Sequence, residues 1–238
     1  MPDSVQYVKD ISIFSPRTSE AVELYTLNIY FIIASSAILI LVIGLLIFIS
    51  FKFRTKQNQS EPKQVYSNRL LEIFMVGVPF IMVSYFFYLT VKTMKDTEPQ
   101  VVNEKPTVVI TGKQWWWDAH YPGGAVTANE IHLPANEKVL LKLQAADVIH
   151  DWWLPSFGPK MDMIPGVTNY LWLNILKPGT YVGACNEFCG RQHAGMRIKV
   201  IAQTRKNYDK WLAENAKPAI ISNDENIKKG ELLFSKNS

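Results

Sequence analysis

The sequence predicts a membrane-anchored protein in which two transmembrane helices precede an all-β domain. Two long apolar segments without charges lie in the N-terminal part of the chain, and short strand-like runs separated by turns fill residues 104–202. The 238 residues are 48% hydrophobic and carry a formal net charge of only +4. This composition excludes intrinsic disorder, and the net charge is too small to indicate nucleic-acid binding.

The two helices are predicted from the uncharged runs at residues 26–51 and 73–91. A helix needs about 20 apolar residues to cross the hydrocarbon core. The second run contains Gly77 and Pro79, which membrane helices tolerate. A buried core helix is the alternative for either run. A cleaved signal peptide is an alternative for the first, but its apolar core would be only about 7–15 residues long. We therefore expect a retained anchor.

The charges between the two runs predict the orientation. Residues 52–69 contain five basic side chains and one acidic side chain, and loops rich in Lys and Arg stay in the cytoplasm. Both termini and the β domain are then periplasmic. The expected divisions are an N-terminal periplasmic segment (1–25), a helix hairpin with a cytoplasmic loop at 52–69 (26–91), the outer domain (92–203) and a C-terminal helix with a linker (204–238).

Six runs in the outer domain have the β-branched and aromatic composition of strands. Pro and Gly residues separate several of them and predict turns. Short strands with frequent turns are typical of a β-sandwich or a β-barrel. The runs are TVVIT (107–111), QWWWDAHY (114–121), KVLLKLQA (138–145), TNYLWLNI (168–175), TYVGAC (180–185) and MRIKVIA (196–202).

The segment CNEFCGRQHAGM, from Cys185 to Met196, has the strongest chemical signal in the chain. Two thiols, an imidazole (His193) and a thioether lie close together, and His150 lies upstream. A disulfide would explain the cysteines alone, and zinc would accept the thiols and imidazoles but gains little from a thioether. The combination of cysteine, histidine and methionine favours copper.

The second cysteine affects the expected number of metal ions. A mononuclear blue-copper site uses one cysteine, two histidines and a weak axial methionine. Two cysteines instead suggest two copper ions bridged by two thiolates, each ion capped by one histidine. The backbone carbonyl of Glu187 is a candidate weak ligand, and its carboxylate would be free for a harder cation such as Mg²⁺.

Glu72 stands at the expected cytoplasmic start of the second helix. A carboxylate there is favoured by the helix dipole. A proton-collecting carboxylate at a membrane entrance is the functional alternative.

These residues resemble subunit II of the haem–copper cytochrome c oxidases. The resemblance runs from the first apolar segment to about residue 203 and includes the QWWW segment and the cysteine loop. It implies a periplasmic cupredoxin-like Greek-key barrel on two transmembrane helices, carrying a dinuclear copper centre called CuA. In this family, CuA takes electrons from cytochrome c and passes them to haem in subunit I, where oxygen is reduced to water with proton translocation.

The resemblance also implies roles for individual residues. Glu187 would bind copper through its carbonyl and Mg²⁺, shared with subunit I, through its side chain. Trp115 matches the residue through which electrons enter, and Asp147 matches an acidic residue of the cytochrome c docking surface. Glu72, with Pro79, matches the mouth of a proton channel. The side-chain copper ligands would be His150, Cys185, Cys189, His193 and Met196.

Some features depart from the family pattern. Val167 replaces a basic residue found in many relatives, so a contact with subunit I is in doubt. Residues 92–200 contain eleven basic and ten acidic side chains, whereas a strongly basic donor would be steered by a negative surface. We therefore expect a less basic donor, either held at the membrane or formerly fused to this chain. The KKGELLF segment near the end of the chain resembles the opening helix of a cytochrome c domain. A solvated tail is the alternative for this end.

Two other functions remain open at this point. A haem–copper nitric oxide reductase could use the same CuA subunit, and a membrane-anchored copper carrier or assembly protein could use the same thiols. The related quinol oxidases lack the copper ligands, so the retained ligands argue against that branch. The expected partners are subunit I, the other oxidase subunits, a cytochrome c donor and the lipid bilayer, without nucleic acid. A bacterial inner membrane is the expected location, with the mitochondrial inner membrane as the alternative.

Overall fold

The computed structural model describes residues 12–54, 64–98, 104–218 and 224–237. Two long helices, α1 (Ser19–Lys52) and α2 (Arg69–Thr97), precede a domain of two five-stranded sheets. Two helices, α3 (Arg205–Asn215) and α4 (Glu225–Asn237), follow the sheets. The predicted fold class, an apolar helix pair with an all-β domain, is confirmed.

The domain contains ten strands within the described residues. They are β1 (Val108–Lys113), β2 (Trp116–His120), β3 (Val126–Ala128), β4 (Glu130–Pro134), β5 (Lys138–Ala145), β6 (His150–Trp153), β7 (Met161–Met163), β8 (Asn169–Asn174), β9 (Gly179–Cys185) and β10 (Arg197–Gln203). One sheet has the order β3-β2-β1-β5-β8 and the other β4-β10-β9-β6-β7. The six predicted runs correspond to β1, β2, β5, β8, β9 and β10. The strands β3, β4, β6 and β7, which are at most five residues long, were not predicted.

The start of α1 is joined to the β domain. The Thr18 hydroxyl accepts a hydrogen bond from Ala21 N (3.0 Å) and donates one to the Phe157 carbonyl (2.7 Å). The Glu20 carboxylate accepts a hydrogen bond from Asn174 N at 3.0 Å. The helix therefore begins at Ser19, before the uncharged run, because a side-chain cap and contacts with the domain stabilise its first turn.

The two long helices have the length and composition to cross a membrane. α1 has 34 residues and α2 has 29. The most apolar 18-residue stretch of each helix is not buried by the rest of the chain. Phe31 and Phe86 stack between them with ring centroids 4.3 Å apart. By length and composition, both helices are therefore candidate membrane spans.

Glu72 takes part in the cap of α2. The Asn68 side chain accepts a hydrogen bond from Leu71 N at 3.2 Å, and the Glu72 carboxylate accepts one from Asn68 N at 3.3 Å. Reciprocal bonds of this kind satisfy backbone donors that a helix N-terminus leaves without partners. This arrangement accounts for an acidic residue at this point, and the proton-channel role stays a prediction.

Close packing between strands fixes the end of β9. A Cβ atom at Gly183 would collide with the Trp153 carbonyl oxygen and would lie 2.7 Å from Leu154 Cγ. Only glycine allows β9 to approach β6 this closely. The approach sets the register in which Cys185 pairs with Trp152, and so determines where Cys185 lies at the end of the sheet.

The C-terminal helices differ in their contacts. On α3, the Trp211 ring stacks on buried His132 with centroids 3.9 Å apart, so this helix packs on the second sheet. α4 forms within the segment that the sequence analysis interpreted as a linker. Ile227, Leu233 and Phe234 on α4 are all exposed.

Candidate metal centre

The five side chains predicted as copper ligands lie together at one end of the β domain. The sulfur atoms of Cys185 and Cys189 are 3.8 Å apart. His150 Nδ1 lies 3.9 Å from the Cys185 sulfur, and His193 Nδ1 lies 3.6 Å from the Cys189 sulfur. Met196 Sδ is 3.7 Å from the Cys189 sulfur. Each thiol therefore has its own imidazole neighbour.

The backbone brings these residues together from two parts of the chain. β9 ends at Cys185, and the loop that follows returns to β10 immediately after Met196. Cys185 N donates a hydrogen bond to the Met196 carbonyl at 2.9 Å, which closes the base of this loop. His150 comes from the start of β6, which pairs with β9. The Cys185 sulfur also lies 3.2 Å from the carbonyl oxygen of Glu187.

The donor atoms fit a soft metal ion. At 3.8 Å, the two sulfurs are well beyond the disulfide bond length of about 2.05 Å. Cys185, Cys189 and His150 are buried, and one ligand atom from each lies within 4.8 Å of the others. Burial and the neighbouring Cys185 raise the pKa of Cys189 to about 12, and a bound cation would favour the thiolate form. Thiolate, imidazole and thioether donors together suit copper.

Asp147 holds the His150 ring. Its Oδ1 atom lies 2.8 Å from His150 Nε2, which leaves Nδ1 facing the thiols. Burial alone would raise the pKa of Asp147, but hydrogen bonds from His150 and from two backbone N–H groups outweigh burial and lower it. Carboxylates commonly fix the tautomer and the direction of a metal-binding imidazole in this way. The docking role implied for Asp147 stays a prediction.

Gly112 leaves space for the same imidazole ring. A Cβ atom at this position would lie 2.9 Å from His150 Cδ2 and 3.0 Å from Cγ. Contacts this short would force the His150 ring or the strand backbone to shift. No local sequence pattern links Gly112 to His150, which lies on the other sheet, so the role of this glycine is visible only in the folded domain.

Trp115 connects the surface to the cysteine loop. Its indole N–H donates a hydrogen bond to the Cys189 carbonyl at 3.1 Å, and Gln114 Nε2 donates to the same oxygen at 2.7 Å. Gly190 packs on the indole ring, because a Cβ atom there would lie 3.2 Å from Trp115 Cζ2. Trp115 is half-buried and thus touches both solvent and the loop. The role in electron transfer stays a prediction.

Asp151 is a buried acidic residue beside the site that the sequence analysis missed. It is 0% exposed, and neither of its carboxylate oxygens has a hydrogen-bond donor among the described residues. It faces Asp162 across the β6–β7 pair. Burial, followed by the neighbouring Asp162 carboxyl group, raises the pKa of Asp151 to about 7. Recognition of β6 as a strand would have indicated that Asp151 points away from the face shared by His150 and Trp152.

Substitution of Asp151 by Asn is expected to make the free energy of unfolding less dependent on pH. Because the folded-state pKa of Asp151 is raised from 3.8 to about 7, the folded chain binds more protons than the unfolded chain between these values. Wild-type stability should therefore fall as the pH rises from about 4 to about 7, by at most roughly 4 kcal/mol from this group. Chemical unfolding of the metal-free chain in detergent, at pH 5 and at pH 8, measures the difference.

The exposed Asp209→Asn variant makes the same substitution away from the β6–β7 pair and is the control for this experiment. Equal pH dependence in Asp151→Asn and the wild type would contradict the assigned ionisation. Asp162→Asn should reduce the effect, because the neighbouring carboxyl group contributes to the raised pKa of Asp151.

Comparisons with known proteins identify the family. A family model described as the periplasmic domain of cytochrome c oxidase subunit II matches residues 124–203. Cytochrome c oxidase subunit 2 of Alkalihalophilus pseudofirmus is 32% identical over 237 residues, which cover 97% of this chain and 69% of that protein. The subunit 2 of Bacillus sp. PS3 is 34% identical, over 78% of this chain and 56% of that protein.

A solved structure gives a similar match. The periplasmic domain of cytochrome oxidase subunit II from Bradyrhizobium japonicum is 33% identical, covers 49% of this chain and 96% of that domain, and has a TM-score of 0.46. The family binds copper, in agreement with the histidine and cysteine cluster found here. The resemblance inferred from the cysteine loop is confirmed. The chain belongs to the cytochrome c oxidase subunit 2 family, whose members are parts of a membrane-bound oxidase complex.

Proposed function

We propose that this chain is the electron-accepting subunit of a respiratory cytochrome c oxidase and that its metal centre holds two copper ions. The observation that carries the proposal is the paired arrangement of the donors. The two cysteine sulfurs lie 3.8 Å apart, and each has a different imidazole nitrogen within 4 Å, from His150 for Cys185 and from His193 for Cys189. A mononuclear site would not need the second thiol.

The ligand roles follow from this arrangement. The Cys185 and Cys189 thiolates and the His150 and His193 imidazoles would hold the copper, with Met196 and the Glu187 carbonyl as weaker ligands. Bound copper would supply a one-electron carrier in which the charge is shared between two metals, so each bond changes little. The chain contributes rigidity, because the buried ligands are fixed by Asp147, by the Cys185–Met196 backbone hydrogen bond and by the surrounding core.

Electrons from cytochrome c would enter through Trp115 and leave toward haem in subunit I, where oxygen is reduced to water and protons are translocated. The hydrogen bond from the Trp115 indole to the Cys189 carbonyl supports this route, because it joins a half-buried aromatic ring to a cysteine ligand. The Glu187 side chain is exposed. It would therefore be available for Mg²⁺ at a boundary with subunit I, since carboxylate oxygens suit this ion.

The membrane arrangement forms part of the same proposal. Both termini and the β domain would lie on the periplasmic side of a bacterial inner membrane, with the basic loop at residues 52–69 in the cytoplasm. The hydrogen bonds of Thr18 and Glu20 with the domain support a periplasmic N-terminal end of α1, because they place it against the sheets. Glu72 would then lie near the cytoplasmic surface.

Copper analysis and EPR spectroscopy of the full-length chain in detergent micelles test this proposal. We expect two copper ions per chain after reconstitution and, in the oxidised form, one unpaired electron with a hyperfine pattern from two copper nuclei. A single-copper pattern, preferential zinc binding or a Cys185–Cys189 disulfide that persists with copper present would contradict it. Rapid exchange of bound copper with a chelator would instead favour a copper carrier.

A further inference from the structure

Two acidic side chains lie directly opposite each other on the β6–β7 pair. Asp151 of β6 pairs with Asp162 of β7 in the antiparallel register. Because side chains alternate along a strand, both carboxyl groups lie on the side of the sheet opposite to the candidate copper ligand His150. Like charges placed directly opposite each other destabilise a strand pair, so these two groups need a partner that reduces their repulsion.

The Asp151 side chain is buried without a donor. It is 0% exposed, and neither of its carboxylate oxygens accepts a hydrogen bond from any residue that the structure describes. Asp162 is exposed, and its carboxyl group lies within hydrogen-bonding reach of Asp151. The pair therefore extends from the surface of the domain to a buried carboxylate, a group that proteins rarely leave without a partner.

The charges around this pair are mainly negative. The exposed side chains of Glu187 and Lys160 are both near enough to Asp151 to act on it electrostatically. Lys160 does not donate a hydrogen bond to either Asp151 oxygen. Three ionised carboxylates, those of Asp151, Asp162 and Glu187, would thus face one ammonium group, which leaves an excess of negative charge.

A proton shared between the two carboxyl groups would not satisfy both oxygens of Asp151. One proton makes a single hydrogen bond, so the other Asp151 oxygen would still have no donor. A divalent cation binds carboxylate oxygens directly, and the water molecules that it carries donate to the oxygens that remain. Mg²⁺ is usually held by one or two carboxylates and keeps several waters, so two aspartates are a sufficient set of protein ligands for it.

We propose that Asp151 and Asp162 bind a hard divalent cation of the Mg²⁺ class on the β6–β7 pair. This site is separate from the copper centre, which lies on the other side of β6. It is also separate from the Mg²⁺ proposed at Glu187, because it needs no ligand from another subunit. The bound ion would offset the repulsion between the two strands and so stabilise β6, the strand that begins with His150.

Binding of Mn²⁺, used as the probe ion, tests the site in the copper-loaded, full-length chain in detergent micelles. Ascorbate keeps the copper reduced and without an EPR signal, so the EPR signal of free Mn²⁺ measures how much of the probe is bound. We expect one Mn²⁺ per chain, displaced by excess Mg²⁺. Asp151→Asn and Asp162→Asn should each weaken binding by at least about tenfold, because changes to outer-shell partners already cost about 10–100-fold.

Two further variants separate this site from other acidic groups. Asp209→Asn makes the same substitution on α3 and should bind Mn²⁺ like the wild type. Glu187→Gln should retain the bound ion and lose less affinity than either variant of the pair, because Glu187 acts on Asp151 only through its charge. Absence of stoichiometric binding in the wild type, or equal binding in Asp151→Asn and Asp209→Asn, would overturn the proposal. Loss of the ion in Glu187→Gln alone would also overturn it.

Thermal unfolding gives a second measurement of the same site. Added Mg²⁺ should raise the Tm of the wild type, because an ion that binds only the folded chain stabilises it. Asp151→Asn should show no such rise, although its copper content and the EPR spectrum of its oxidised form should match those of the wild type and so show that the variant is folded. An equal rise of Tm in both chains would overturn the proposal.

Discussion

Replacement of Cys185 by Ser is expected to abolish the two-copper centre and the ability of the chain to accept electrons. Cys185 lies beside His150, the Glu187 carbonyl and the second thiol, so its loss removes a donor from both proposed metal positions. Changes to outer-shell partners already cost about 10–100-fold in metal affinity or activity. Loss of a bridging ligand should cost more than this, because a serine hydroxyl does not ionise readily.

Copper content, the EPR spectrum and the rate of reduction by ascorbate measure this effect. Ala184→Ser is a matched control, because it introduces the same side chain at the preceding, half-buried position on β9. The control should retain two copper ions and the wild-type spectrum. A Cys185→Ser chain that still bound two copper ions with the wild-type EPR pattern would exclude Cys185 as a bridging ligand.

Replacement of Trp115 by Phe should slow electron transfer from a protein donor while leaving the copper centre intact. Phenylalanine keeps an aromatic ring but lacks the N–H group that donates to the Cys189 carbonyl. The connection between the surface and the cysteine loop would then be a packing contact only. We expect the rate to fall by about tenfold or more, equivalent to roughly 1.4 kcal/mol or more of activation free energy.

Stopped-flow reduction by cytochrome c measures this rate, and ascorbate reduction shows whether the centre itself is unchanged. The neighbouring Trp116→Phe variant is the control. Trp116 is also half-buried, but its ring lies under the Lys113 ammonium group at 4.7 Å and makes no described hydrogen bond to the cysteine loop. If the two variants have the same rate, Trp115 has no special part in electron transfer.

Contacts between α1 and the β domain give the centre a defined position relative to the anchor. Thr18 and Glu20 join the first turn of α1 to the domain, and Gly158 permits close contact with Ala21. The φ angle of Gly158 is +88°, and a Cβ atom at this position would lie 2.8 Å from Ala21 Cα. Both facts disfavour any other residue here. The proposed transfer of electrons to subunit I would depend on this fixed attachment, because electron transfer depends strongly on distance.

Much of the architecture and the ligand set were predictable from local sequence patterns. Long uncharged runs define the two apolar helices, because the burial of helical backbone in lipid requires about 20 apolar residues. β-branched and aromatic runs predicted six of the ten described strands. The donors in the cysteine loop were recognisable because four of them lie within one short segment, from Cys185 to Met196.

Local sequence patterns were sufficient to predict the apolar helix pair, the all-β domain and the donor types of the cysteine loop, because each depends on residues that are close together in the chain. The folded domain was needed to show how His150 meets the thiols, which groups orient its ring, and how Trp115 reaches the Cys189 carbonyl. It also decided that Asp151 is buried next to Asp162. These contacts join different strands or loops, so their geometry depends on sheet register and core packing and has no local signature.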